Sequence, residues 1–312
     1  MLKTTQKGIV LPLLLLALII VAVVGGVYYL SKNSSLGFNF TPPVPLNSHQ
    51  ELEGAVNKTV TVKTAHLDYK TNVKSHITVI STGVTQTLDN NVDGYLAGSD
   101  EASKGELKIY STQNPSSSVV IDVISLKDGG SYVKGPATAG KWRYVSKEEN
   151  NKLDEKNPTD ASLYGFNLLD SVISDNKALF RTFKKETVEK LEDFSADGKT
   201  LKRFSVEIAV PDFVGAIEKD PDSTLKDKND AKAILADATI KATFYVDKNT
   251  NYITKLSVSA KNLTQILTPE AKQLGVSTRH DIELSADISR FDLPMEIKAP
   301  DPSEVINPPS SI

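Results

Sequence analysis

Ser131-Tyr-Val-Lys134 and Ser174-Asp175-Asn176 are the stretches whose residue types and spacing come nearest to a reaction. They match S-x-x-K and S-D-N, two of the three marks of serine enzymes that open β-lactams. That chemistry needs the serine at the start of a buried helix and the lysine one turn on, close enough to take its proton. Here the first motif follows a D-G-G turn and meets Gly135-Pro136, so it is expected on a strand. A period of two then sends Ser131 and Lys134 to opposite faces. The K-T-G element is missing and a second S-x-x-K occurs at Ser223 to Lys226, so no acyl transfer is predicted.

Metal chemistry fares no better. Asp247, Asn249 and Asn251 imitate the first three ligands of a calcium loop, but Tyr252 stands where glycine is needed and Val258 where the bidentate glutamate belongs. A hairpin turn accounts for them. The loop around Asp220, Asp222, Asp227 and Asp230 is interspersed with Lys219, Lys226, Lys228 and Lys232, which repel a cation. Of the four histidines only His66 and His76 share a strand face, more than about 30 Å apart on a straight strand. There is no cysteine, which removes disulfides, thiolate metal sites and lipid attachment through sulfur. No catalytic residue, metal or cofactor is expected, and the chain is read as a non-enzyme.

The elements that position these residues begin with residues 9–30, IVLPLLLLALIIVAVVGGVYYL, 22 residues without a charge. At roughly 1.5 Å per residue they reach about 33 Å, enough to cross a hydrocarbon core of about 30 Å. Lys3 and Lys7 precede them and no acidic residue occurs before Glu51, so the basic residues 1–8 stay in the cytoplasm and the remainder is exported. A cleaved signal peptide would export the chain equally. Its core usually runs to about 7–15 residues before an A-x-A site, and that site is absent, which favours a retained anchor. Setting Lys3 and Lys7 aside leaves 34 basic against 39 acidic residues, with no basic tract, and nucleic acid is not an expected partner.

Residues 31–48 are polar and then proline-rich, a semi-rigid stalk. Ser48 with Glu51 matches a capping box, and Leu52, Val56 and Val60 predict an amphipathic helix over about 49–60. The period then changes to two. Between 65 and 80 the odd positions carry Ala65, Leu67, Tyr69, Val73, Ile77 and Val79 while the even ones from His66 to His76 are polar, and the alternation returns around Phe204, Ile240 and Ile282. One antiparallel sheet explains these strands, with turns at 127–130, 196–199 and 247–251. Helical periodicity over 160–180, 211–218 and 228–237 makes the fold α+β. The folded domain is assigned to 49–298, and residues 299–312 are expected to be a disordered tail.

Three stretches carry a resemblance. TVKTAHLDYKTNV at 61–73 looks like a helix exit into a first strand, and SLKDGGSYVKGPATAGKWRYVS at 125–146 like a hairpin pairing a tyrosine strand with a tryptophan strand. ATFYVDKNTNYITKLSVSA at 242–260 looks like a late hairpin with aspartate at its turn. The pattern resembles the LolA/LolB-like superfamily of extracytoplasmic carriers, and within it the LppX/LprG type of lipid-binding lipoproteins. What the resemblance implies is a curved antiparallel half-barrel closed by helices around an apolar cavity that holds acyl chains. The retained anchor departs from that pattern, since such carriers are soluble or lipidated on cysteine.

Leu67, Tyr69, Val73, Ile121, Val123, Tyr132, Trp142, Phe204, Val206, Phe244 and Leu256 stand at positions read as inward, as core or as the lining of that cavity. The expected function is a membrane-anchored extracytoplasmic protein binding a lipid or other apolar ligand. The alternative is a structural or sensory ectodomain that recognises a protein or the cell wall. Protease added to intact cells is expected to release the domain by cutting within 31–48, and a protected domain would refute this topology.

Overall fold

The computed structural model describes residues 47–99, 102–126, 130–146, 188–196, 198–208, 210–219, 225–265, 273 and 275–306. The expected membrane run 9–30, nearly all of the stalk and the helix expected over 160–180 lie outside them. Among the described residues no helix is long and apolar enough to cross a membrane.

Helix α1, Ser48–Val60, starts one residue away from its expected cap: Asn47, not Ser48, closes the capping box. The Asn47 side chain accepts from the Gln50 amide at 2.9 Å and the Gln50 side chain accepts from the Asn47 amide at 3.1 Å. Glu51 is thereby free to pair with Lys190 at 3.0 Å and Lys202 at 3.4 Å. The helix buries Leu52, Ala55 and Val56. Thr59 ties its last turn to the sheet, donating to the Ala55 carbonyl and accepting from the Ile253 amide, each at 2.8 Å.

The rest is mostly β. Strands β1 Thr64–Val79, β2 Thr85–Ser99, β3 Ala102–Ser111, β4 Asn114–Leu126, β5 Ser131–Lys134 and β6 Trp142–Val145 form one meander. Strands β7 Val188–Ala196, β8 Lys199–Ile208, β9 Thr239–Asp247, β10 Ile253–Thr264 and β11 Val276–Ser289 form a second, interrupted after β8 by helices α2, Val210–Lys219, and α3, Leu225–Leu235. Antiparallel pairing of β1 with β11 from His66↔Ser289 to Val79↔Val276 joins the two meanders into one open sheet of twelve strands. Register shifts in β3/β4, β7/β8, β9/β10 and β10/β11 add local twist, and the sheet is large and curved.

The expected disordered tail is corrected in part. Pro302–Glu304 form a single turn whose cap, Asp301, accepts from the Ser303 amide at 2.8 Å, and Val305–Ile306, strand β12, pair parallel to β6. Prolines deny this segment a place inside a sheet, but an edge strand with unpaired backbone groups tolerates them nearby.

One face of the sheet is apolar across both meanders. On the second meander and β1, Phe204, Val206, Ala242, Phe244, Leu256, Val258, Ile282 and Leu284 pack with Leu52 and Val56 of α1 and Leu235 of α3. On the first, Ile121, Val123, Val133 and Val145 form a separate cluster with Leu107 and Val119. Tyr69 bridges the gap between them. Its ring lies over Gly94 of β2 and its hydroxyl donates to the Glu106 carbonyl of β3 at 3.4 Å.

A side chain cannot replace that ring. A Cβ on Gly94 would stand 2.0 Å from the Glu106 carbonyl oxygen and 2.6 Å from the Tyr69 hydroxyl. Gly94→Ala is expected to destabilise the domain by about 3 kcal/mol in urea unfolding. Gly83→Ala, in open space but at φ +69°, should lose only about 1 kcal/mol. Equal losses at the two positions would refute the close approach.

Candidate functional site

Cross-strand register decides which expected lining residues share a face. One row runs Ile121, Leu107, Gly94, Tyr69, Ala286, Leu256, Phe244, Phe204 across eight strands, from β4 to β8. A second carries Val123, Gly105, Leu96 and Leu67, and Val73 and Val206 lie on the same face. Nine of the eleven residues thus stand together.

Tyr132 and Trp142 do not. Tyr132 pairs with Ile124 and Trp142 with Lys134, and this row continues through Lys104 and His66 or through Asp122 and Glu106 on the other face. With Tyr132 and Lys134 facing outward, the alternation turns Ser131 and Val133 inward, so the inward residues of this short strand are a serine and a valine rather than its aromatic. Tyr132 is buried beside Tyr144, their rings 5.2 Å apart, and the Lys134 ammonium stands 5.8 Å from the Trp142 ring.

The strand also separates Ser131 from Lys134, as the spacing predicts; the Ser131 hydroxyl donates to Ser125 at 3.4 Å. Ser174-Asp175-Asn176 lies outside the described residues, as do Asp220 and Asp222. Asp247 uses its carboxylate within its turn, accepting from the amides of Asn249 and Thr250 at 2.8 Å each. These amide bonds hold it below the usual carboxylate range. Among the described residues no group of His, Cys, Asp and Glu is placed to hold a metal.

The apolar face carries one feature the sequence reading passed over. Ser75 of β1 stands opposite His280 of β11, and the Ser75 hydroxyl lies 2.9 Å from His280 Nδ1. His280 is 1% exposed and Ser75 9%. Among the described residues His280 Nε2 is buried without a hydrogen-bond partner, and so is the Thr71 hydroxyl on the same face. Burial, reinforced by His76 and opposed by Asp281, lowers the His280 imidazole to about 4. The signal was in the alternation itself, since His280 occupies the inward phase of Ile282, Leu284 and Ala286.

A serine beside an imidazole invites comparison with a hydrolase. There the histidine is oriented through its second nitrogen by a carboxylate. Here, among the described residues, the second nitrogen has no partner, and the pair is buried between β1 and β11. Its chemistry is that of a neutral hydrogen-bonding group in an apolar surface.

No family model matches the sequence, and no curated protein sequence matches it. Among solved structures the chain is similar to lipoprotein LppX of Mycobacterium tuberculosis, at 12% identity and a TM-score of 0.36, over 80% of this chain and 98% of that one. It is similar to LprF of Mycobacterium bovis at 11% identity and a TM-score of 0.38, over 83% and 98% of the two chains. A domain from Vibrio parahaemolyticus described as outer membrane lipoprotein-sorting aligns at 12% identity and a TM-score of 0.24, over 80% and 95%.

The neutral imidazole makes stability depend on pH. Its folded pKa, about 4, lies below an unfolded value near 6.5, so the unfolded chain binds the extra proton and stability falls as pH drops through this window. Urea unfolding is expected to show about 2 kcal/mol less stability at pH 5 than at pH 7.5. In a Ser75→Ala, His280→Leu double variant most of that difference should vanish; an unchanged pH dependence would refute the assignment.

Proposed function

We propose that the chain is a membrane-tethered extracytoplasmic module that holds a lipid or other apolar ligand against the apolar face of its curved sheet. The observation that carries this reading is the extent of that face. Helices α1 and α3 bury residues against β1 and β8–β11, where the larger cluster forms. The register prolongs the same face through Val92, Leu107, Ile109, Ile121 and Val123, and there, among the described residues, the second cluster is built from strands alone. A domain with one core needs its helices over its apolar sheet surface. Among the described residues the apolar surface of the sheet runs on past these helices, and its residues there are buried, as the lining of a long one-sided trough for acyl chains would be.

The uncharged run 9–30 supplies the tether in this reading, and the resemblance of the three sequence stretches supports the same ligand class. No reaction is assigned. Ser131 and Lys134 are separated by their strand, and Ser75 lacks an activated base.

The sheet and its helices are assembled from residues 47–306, so residues 45–312 make a testable domain. Released from membranes, that domain is expected to carry an acyl species in native mass spectrometry and to displace a fluorescent fatty-acyl probe. Leu107→Glu, a charge placed on the strand-only wing, should weaken probe binding roughly tenfold or more while leaving the domain folded. A ligand-free spectrum with no probe displacement would sink the reading in favour of an ectodomain filled by its own side chains.

A further inference from the structure

We propose that His280 is the polar anchor of this apolar face, its Nε2–H donating a hydrogen bond to an uncharged carbonyl oxygen of the ligand, the ester of an acylated lipid. The inference rests on the lipid-holding reading above and adds to it the chemistry and position of the ligand's polar group.

Tautomer follows from the hydroxyl. Among the described residues the Ser75 hydroxyl has one acceptor, His280 Nδ1 at 2.9 Å, so its proton points there and the single imidazole proton resides on Nε2. Among the described residues that buried N–H has no acceptor, an arrangement native interiors avoid unless a further group completes it. The missing group must be an acceptor. It must also be uncharged, because the positions beside His280 on this face are Ser75 and Leu263 across the sheet and Thr278 and Ile282 along the strand, and none supplies a cation. The imidazole itself is held neutral by its burial.

Placement fits an acylated lipid. His280 sits on the joint of the two meanders, with the larger cluster running toward β8 on one side and the strand-only wing toward β6 on the other. The Thr71 hydroxyl, also without a partner among the described residues, lies four residues from Ser75 along β1, roughly 13 Å away. The two central strands thus carry a polar stripe within an apolar surface. An ester seated at this joint leaves its chains free to lie over apolar strands. Among the described residues helix α3 packs through apolar residues on β10, the strand that pairs with β11 beside His280, so moving it to admit a ligand breaks no sheet hydrogen bond.

The experiment compares two lipids identical in headgroup and chain length, one diacyl with ester links and one dialkyl with ether links, on residues 45–312. The native domain is expected to bind the ester at least tenfold more tightly, because a buried donor discriminates against a ligand that lacks the acceptor. His280→Phe should bind both at the ether level, and His280→Gln, which keeps a donor, should regain part of the preference. Should His280→Phe fail to fold, nitrogen-15 NMR of the native imidazole decides: the Nε2–H signal should move downfield and exchange slowly with the ester lipid only. Equal affinity for the two lipids, or an Nε2–H that exchanges freely with water in the ester complex, would overturn the anchor and leave the lipid-holding reading standing. Absence of binding to either lipid would remove both.

Discussion

The pairing of β1 with β11 is the constraint on which the rest of the molecule depends. Each half of the sheet is a meander in which consecutive strands pair, across short connections or, between β8 and β9, across helices α2 and α3, and such pairings are close in sequence. The β1–β11 joint is different, since it brings the first strand against one from the far end of the chain and fixes the phase of both halves at once. Strand side chains alternate with a period of two, so a slip of one residue at this joint would turn one apolar half to the wrong side. The observed register sets Leu67, Val73 and Ile77 against Ile288, Ile282 and Thr278, and both halves present their apolar residues to one face. The same joint is where that face becomes polar, at Ser75 and His280.

Legibility followed local periodicity. The strands around Tyr69, Phe204, Phe244 and Ile282 were readable because apolar residues recur at alternate positions, interrupted on β1 at Thr71 and Ser75 and on β11 at Thr278 and His280. Strand β2, TQTLDNNVDGYLAGS, was not, because asparagine, aspartate and glycine have low strand propensity and its inward positions include Asn90 and Gly94. What makes it a strand is tertiary: Gly94 gives its side-chain volume to Tyr69. The capping box slipped by one residue because Asn47-Gln50 and Ser48-Glu51 are both competent pairs in sequence, and only the ion pairs of Glu51 with Lys190 and Lys202 distinguish them. Tyr132 and Trp142 were assigned to the wrong face on a short strand whose inward residues are Ser131 and Val133, so aromatic character was a poor guide there.

The tether, if it acts as proposed, limits what the apolar face can do. A stalk of 18 residues at about 3 Å each spans some 50 Å at most, so ligand exchange is confined to that distance from the bilayer. A tethered trough therefore suits holding or presenting a lipid better than carrying one across a wide compartment. In this proposal the apolar run 9–30 is the tether, since the sequence has no cysteine to carry a lipid.

The Ser75–His280 pair is hard to explain as a device for folding alone. Its site is bounded by Leu263, Ile282 and Val73, and apolar residues of similar volume there would bury surface without leaving a donor unmade. An unsatisfied buried donor costs about 1–3 kcal/mol. The fold carries that cost in the free state and recovers it when an acceptor arrives, so the same energy becomes available for choosing among ligands. It corresponds to roughly 5- to 150-fold in affinity. That range is enough to prefer an ester over an ether or a bare hydrocarbon, and too small to hold any of them without the apolar contacts that line the trough. Selection of the ligand and retention of the ligand would then reside in different residues: the former in one imidazole at the joint, the latter in the rows of side chains on either side of it.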